Sequence, residues 1–491
     1  MVLRIAHGLI AGALAFGLAL AVTPAAAQKK YDEGASDTEV RIGHTNPYTG
    51  PASAYGVFGK TIAAYFKMVN DKGGIRGRKV TFVTYDDGYN PKKTVELAKK
   101  LVEEDKVLLL FQTLGTPSNA AIQKYLNDRQ VPQLFVASGA TRWANPKEYP
   151  WTMGWQPNYA DEAAMYAGDA LTYGKDPKIA VLMQDDEYGR DYLDAFKAAL
   201  GKDAGRIVRV ATYKVTDESV ETQIADLKST GANVFFNIAT PKFAAQAIKK
   251  AADLGWRPLH YLNAVSNSVN AVLRPAGLAA SQGLITITYL KDPNAPQWAE
   301  WPDVKAWHTF MDGYMPGVAK QDAFVVYAYA VTATLVEVLE RCGDDLTRAN
   351  IMKQASDLQD LEVPMLLPYI KINTSATNYN PIQKMRLQRF LEDRWDYSLA
   401  AWMAFAEPQA EGPAQPAPLA AGKAAPAAKP APAPAKAAPG KAAPATAKVA
   451  PTTAKAAPAA AKAKAAPEAA KAAPAGKTAP PKSSPPKEPA Q

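Results

Sequence analysis

The sequence predicts an α/β protein built as two consecutive doubly wound α/β halves, followed by a tail that does not fold. Three observations carry that expectation. Short β-rich runs alternate with longer helical patterns from about Thr38 to Phe405, which is the order of parallel α/β sheets. The series is too long for one compact core of ordinary size, so it divides, the first half running to about Gln156 and the second beginning near Asn158. From Glu407 to Gln491 the composition collapses to little besides Ala, Pro and Lys.

The elements follow in order. EVRIGHT reads as a strand, and the next helix places Ile62, Tyr65, Phe66 and Val69 on one face before stopping at Gly73-Gly74. KVTFVTYDD gives way to Asn90-Pro91, an N-cap with proline at N1, which opens the helix KKTVELAKKLVEED. The strand VLLLF, a helix from about Ser118 and the strand VPQLFVA complete the first half. The second half reads as a helix from Tyr159 through Leu171, the strand KIAVLMQ, a helix from Gly189 and the strand RIVRVATYKV. The helix ETQIADLKSTG, the strand NVFFNIA, the helix KFAAQAIKKAADLG and the strand HYLNAV end the run.

The two ends differ in kind from this middle. Residues 1–27 pair Arg4 with an apolar run from Leu9 to Val22 and an A-x-A site at Ala25 and Ala27, the pattern of a secretory signal peptide cleaved after Ala27. The run is shorter than the ~20 residues of a membrane span. The mature chain is therefore expected to be soluble and periplasmic, with Cys342 as its single thiol and no internal disulfide. Residues 407–491 carry no aromatic side chain and cannot bury a core, which is the composition of disorder. That tail holds 12 Lys against 4 Glu, a net +8 of the chain's +9, so the basic balance belongs to it. The folded part shows no basic stripe with interleaved aromatics, and nucleic acid is set aside as its partner. For the tail, a solvated spacer and a contact with anionic envelope surfaces both stay open.

In doubly wound sheets ligands bind beyond the carboxyl ends of the strands, which directs attention to four loops: HTNPYTGPASAYG, QTLGTPSNA, SGATRWANP and DDEYGRD. The first three mix Gly, Ser, Thr and backbone amides, suited to receiving a carboxylate at a helix N-terminus. The same residues also serve turns and caps, so each loop alone keeps a structural reading.

Taken together, TGPASAYG, NDKGGIRGRKVTFVTYDDGYNP, SGAT, DDEYGRD and LLPYIKINTS resemble the periplasmic Leu/Ile/Val-binding protein family, over roughly Glu39 to Trp395. These are receptors of branched-chain amino-acid ABC importers. The resemblance implies a type I periplasmic binding fold, in which two α/β lobes joined by three crossovers close on a ligand. It implies lobes at 38–156 plus 288–365 and at 157–287 plus 366–405. It also implies a monomer that delivers its solute to an inner-membrane ABC permease. By the same resemblance Tyr55 covers the ligand, and Ser138, Gly139 and Thr141 hold an amino-acid head group. Leu114, Gly115 and Thr116 stand in the place of a carboxylate-binding loop, with a register open by one or two residues. Tyr188 matches a tyrosine at the cleft mouth, with a core role equally open, and Phe324 matches an aromatic wall.

The departures bear on the solute. Amino-acid-binding members neutralise the ligand's ammonium with an acid from second-lobe loops that here read IATPK and LNAVSNSVN, without an acid. Thr240 stands where the family has a tyrosine. Asp185, Asp186 and Glu187 either reach the cleft or serve as N-terminal capping charges. The expectation is a small carboxylate-bearing solute that need not be zwitterionic. An aromatic body is an option given Tyr55, Trp143, Trp155 and Phe324, although both tryptophans also suit ordinary packing.

Other chemistries find little support. Gly59-Lys60-Thr61 resembles the end of a P-loop, but the required first glycine is Ala54. No HExxH, cysteine pair or G-x-S-x-G motif occurs, so neither a metal, a cofactor nor catalysis is expected. A sensor subunit docking on a kinase or chemoreceptor would use the same clamp and is the alternative reading.

Overall fold

The computed structural model describes residues 29–173 and 176–397. The expected signal peptide and the expected disordered tail lie outside the described residues. In chain order the elements are β1 (Lys30–Tyr31), β2 (Glu39–Asn46), α1 (Gly56–Asp71), β3 (Lys79–Asp86), α2 (Pro91–Glu103), β4 (Leu109–Phe111), α3 (Thr116–Asp128), β5 (Gln133–Val136) and β6 (Thr152–Gly154). They continue with α4 (Tyr159–Thr172), β7 (Ile179–Gln184), α5 (Glu187–Leu200), β8 (Ile207–Tyr213), α6 (Glu221–Ser229), β9 (Val234–Ile238), α7 (Pro241–Asp253), β10 (Leu259–Leu262), α8 (Arg274–Ala276) and β11 (Ile285–Thr288). The last are α9 (Pro302–Tyr314), α10 (Ala323–Cys342), β12 (Asp345–Leu346), α11 (Arg348–Ala355), β13 (Arg386–Leu391) and β14 (Arg394–Asp396).

Two sheets result. The first is parallel in the order β3-β2-β4-β5-β6, with β2 and β3 in register from Glu39 opposite Lys79 to Asn46 opposite Asp86. The second runs β14-β13-β11-β10-β9-β7-β8, parallel except where β13 pairs antiparallel with β11 and β14. Both are doubly wound. In each, the first strand to be laid down, β2 or β7, has its neighbours on opposite sides, so consecutive crossovers leave in opposite directions and open a crevice at that point.

Local chemistry starts the helices where the loops need them. Asn90 accepts the N–H of Lys92 at 3.0 Å, with Pro91 at N1 of α2. Asn158, Asp186 and Asp322 cap α4, α5 and α10. Strand residues of the second sheet such as Ile179, Val181, Phe235 and Phe236 are wholly buried, because helices cover both faces of a parallel sheet.

The chain passes between the sheets three times, after β6, after β11 and before β13. Between the last two passages α9, α10 and α11 return to the first sheet, with α9 and α10 against α1 and the Tyr65 ring 5.0 Å from Tyr329. The family resemblance implies a final passage near residue 366, whereas hydrogen bonds hold the following segment on the first lobe. The Thr374 hydroxyl donates to Ala355 O at 2.8 Å and the Tyr379 hydroxyl to Pro150 O at 3.1 Å. The backbone joins the second sheet only at Arg386.

Helix α10 is long and apolar enough to cross a membrane, yet most of it is inside the protein, from Phe324 through Leu339. It is the core helix of the first lobe. Cys342, at its end, is buried and unpaired, and burial pushes its thiol up to about 12.

Candidate functional site

A cleft with about 1110 Å³ of free space in and above it lies between the carboxyl ends of the two sheets. The first lobe contributes Tyr55 and Phe58 from the start of α1, Tyr89 from the loop after β3, and Leu114, Gly115 and Thr116 at the start of α3. The second contributes Tyr159 and Glu162 from the first turn of α4, Tyr188 from α5, Thr240, and the loop Ala264–Asn267 after β10. Residues 287–293 of the second passage and Phe324 and Tyr327 of α10 close the back.

The walls are aromatic. Phe324 stands 5.2 Å from Tyr55 and 5.4 Å from Phe58 between ring centroids, and Tyr159 stands 5.7 Å from Tyr188. Their phenols are shut away from water, and burial raises the pKa of Tyr55, Tyr89 and Tyr188 far above the usual range. All three are neutral hydrogen-bonding groups on apolar bodies.

The floor of the first lobe is shaped by Gly115. Its φ is +98°, and a Cβ there would lie 2.6 Å from the Tyr89 ring. Only glycine serves both demands, and it lets Leu114 and Thr116 present themselves to the cleft. Among the helices that begin at the cleft, α4, α5 and α10 have their first amides taken by Asn158, Asp186 and Asp322. In α7 the Thr240 N–H donates to the Tyr213 hydroxyl at 2.9 Å. The first turns of α1, α3 and α7 have no side-chain cap; that of α3 brings its positive end and the Thr116 hydroxyl, 2.8 Å from Ser138 Oγ, to the cleft lining.

Of the residues expected from sequence, Tyr55, Leu114, Gly115, Thr116, Tyr188, Thr240 and Phe324 come together around this cleft. Ser138, Gly139 and Thr141 are not in its lining, and their polar groups are engaged elsewhere. Ser138 Oγ is 2.8 Å from Thr116 Oγ1 and accepts the Trp143 Nε1–H at 2.9 Å. Gly139 O accepts the Tyr159 N–H at 2.7 Å, and the Tyr159 ring covers the glycine. Thr141 donates its N–H and its hydroxyl to Asp191 of the other lobe, at 2.9 and 2.6 Å. Trp143 and Trp155 are packing residues, the latter donating to Thr334 at 3.0 Å. Asp185 pairs with Arg190, Asp186 caps Gly189, and Glu187 receives Arg142 across the cleft mouth at 2.6 Å.

Two features escape a loop-by-loop reading. One is the set of bonds from lobe to lobe. Besides Thr141–Asp191 and Arg142–Glu187, the Tyr55 hydroxyl donates to Val265 O at 2.8 Å and Ser268 donates to Asp322 at 2.9 Å. The other is Glu162, a buried acid in the lining. Its Oε1 accepts the Ala264 N–H at 2.8 Å and the Tyr166 hydroxyl at 2.9 Å, and its Oε2 accepts the Tyr192 hydroxyl at 2.9 Å. With its amide oriented to pair every atom, Asn263 accepts the Tyr188 hydroxyl and donates to Asn237 O and Ala239 O. Glu162 and Asn263 thereby hold the 264–267 loop from below.

A periplasmic binding protein family model matches residues 39–394. The Leu/Ile/Val-binding protein homolog 1 of Brucella suis is 27% identical over 319 residues, which span 64% of this chain and 81% of that protein. A branched-chain amino-acid ABC transporter protein of Thermus thermophilus, solved with bound valine, superposes with a TM-score of 0.66 at 15% identity, covering 76% of this chain and 100% of that one. A fatty acid ABC transporter substrate-binding protein of Thermomonospora curvata does so with a TM-score of 0.62 at 20% identity, covering 76% and 96%. The fold is thus the type I periplasmic binding fold, two α/β lobes joined by three crossovers around one cleft. With the family model spanning nearly all of the described residues, the chain belongs to the periplasmic binding protein family.

Proposed function

We propose that this protein is the exported solute-binding component of an ABC importer, which captures a small carboxylate-bearing solute between its lobes and delivers it to a permease. It binds and releases its solute without chemistry. The observation that carries this reading is the uncapped first turn of α3, with the Thr116 hydroxyl beside it, opening into an aromatic cleft between the lobes. A carboxylate at that point takes the helix's positive end, and its apolar body lies against Tyr55 and Phe324. Its relatives named for branched-chain amino acids and for fatty acids both take solutes that combine a carboxylate with an apolar body. In this reading the protein acts as a monomer, with one lobe formed by 38–156 and the returning segment 288–383, and the other by the rest of the folded chain.

The test is thermal unfolding of the ligand-stripped protein with leucine, phenylalanine, benzoate, phenylacetate and octanoate. A solute at 100 times its Kd raises stability by ~2.7 kcal/mol, which is readily seen as a rise in Tm. Stabilisation by at least one carboxylate, and none by the matching amide or alcohol, is the expected result. Equal stabilisation by benzamide and benzoate would contradict the assignment of α3 as the carboxylate site.

A further inference from the structure

Ser138, in the loop after β5, lies outside the cleft lining but touches a residue inside it. Its Oγ is 2.8 Å from Thr116 Oγ1, and Ser138, Thr116 and Trp143 are all buried, so water competes little for their polar groups. Which of the two hydroxyls donates across that contact decides what Thr116 offers to the cleft.

The other partners of Ser138 fix the direction. A serine oxygen has one proton to give and two lone pairs with which to accept. Both lone pairs are taken by N–H groups, the Trp143 Nε1–H at 2.9 Å and the Ala140 backbone N–H at 3.2 Å. Neither of these groups can turn into an acceptor. Ser138 therefore has no lone pair left for Thr116 and is the donor of the pair. The Tyr159 phenol faces the same serine, but among the described residues the hydroxyl hydrogen-bonded to Ser138 Oγ is that of Thr116. The Thr116 proton then has no acceptor among the described residues, and Thr116 lines the cleft.

We propose that Trp143 and Ser138 are positioning residues for the solute: the Trp143 and Ala140 N–H groups hold Ser138 as a donor to Thr116, and the Thr116 O–H is left to donate to the solute's carboxylate. This rests on the carboxylate reading above. The bonds from Trp143 through Ser138 to Thr116 run in one direction and polarise one another, which a charged oxygen exploits better than a neutral one. Pro117 makes that proton matter more. It is the second residue of α3 and has no N–H, so the helix start has one backbone donor fewer for the solute.

A distinctive mutational pattern follows. If Trp143 loses its N–H, one lone pair of Ser138 opens, and the Thr116 proton can turn away from the cleft onto it. Removing the Ser138 hydroxyl as well takes that acceptor away and returns the proton to the cleft. Residues that only pack give losses that accumulate, whereas here the second substitution repairs the first.

The experiment is calorimetric titration of the full mature protein and its variants with benzoate, phenylacetate and octanoate, and with benzamide. W143F should raise the Kd for the acids by about tenfold, the worth of one hydrogen bond to a charged group. S138A should raise it less, and W143F/S138A should return to the S138A value. T116V, which keeps the shape and removes the hydroxyl, should also lose about tenfold. W155F is the control, because its indole N–H goes to Thr334, and it should keep the preference for acid over amide. Losses that add in the double variant, or wild-type affinity in W143F or T116V, would overturn the proposal while leaving the carboxylate reading intact. A wild-type protein that binds none of the three acids, or binds benzamide as tightly as benzoate, would sink that reading and this one with it. Should W143F fail to fold, the wild type still decides the matter by proton NMR. The Trp143 indole N–H, identified by cross-relaxation with Ser138, should move downfield when benzoate binds, and no movement would overturn the proposal.

Discussion

Gly115 shows how one residue sets the floor of the cleft. Its φ of +98° lies where L side chains rarely go, and the Tyr89 ring leaves no room for a Cβ. Gly115→Ala should cost about 1–3 kcal/mol in urea or thermal unfolding, and it should weaken solute binding because Leu114 and Thr116 move with it. Gly205→Ala, at a glycine with nothing within 4 Å of its Cβ position, is the control and should leave the unfolding midpoint nearly unchanged. At this scale the sequence was readable where a residue follows a strand directly. Tyr55, Gly115, Thr116 and Tyr188 sit in such loops or at the helix starts that end them, and each reaches the cleft. Glu162 and Tyr159 were not readable, because they lie outside the four strand-end loops, at a helix start where an acid is ordinarily a capping charge and an aromatic a packing residue. The segment expected to hold a head group, Ser138 to Thr141, is not among the lining residues, and that too was hidden from composition. Composition marks it as rich in polar groups, and only the structure shows the Ser138 hydroxyl accepting from Trp143 and paired with Thr116, and the Thr141 donors given to Asp191.

Between elements, the bonds from the loop after β5 to α5 act as a clasp. Thr141 gives Asp191 two hydrogen bonds, and Arg142 Nη1 reaches both carboxylate oxygens of Glu187. The Arg142–Glu187 pair is partly exposed, so it contributes ~0–1 kcal/mol, and the Thr141 bonds to a charged acceptor contribute ~1.5–3 kcal/mol before desolvation. Together these bias the lobes toward closure without a solute. Asp191→Ala combined with Glu187→Gln should therefore raise the radius of gyration of the ligand-free protein in small-angle scattering. It should also weaken solute binding, because a smaller closed fraction lowers apparent affinity. An unchanged radius would show that the clasp does not hold the lobes. The helices α1 to α7 were legible from their one-sided apolar periodicity and caps, but α10 was not. It is buried nearly all round, so its sequence AFVVYAYAVTATLVEVLERC carries no contrast between faces and satisfies a membrane-span criterion as well as a core one. The β13–β14 hairpin was hidden by Arg386, Arg389 and Arg394, which break the alternation expected of a strand.

For the whole molecule, the division into two doubly wound lobes was legible because strand and helix periods alternate without interruption over most of the chain. The exact point of the last passage was not, since residues 357–383 form neither helix nor strand and are held to the first lobe by scattered hydrogen bonds. The two sheets, the aromatic walls and the uncapped start of α3 converge on one claim, that a carboxylate is held at the first lobe while the second closes over its apolar body. A crystal structure of the protein with the carboxylate that most raises its Tm tests this most directly. The expected result is carboxylate oxygens within hydrogen-bond distance of Thr116 Oγ1 and the first-turn N–H groups of α3, with the solute's body between Tyr55 and Phe324 and Glu162 making no contact with a cation. A solute whose carboxylate lies away from α3, or whose ammonium rests on Glu162, would contradict it.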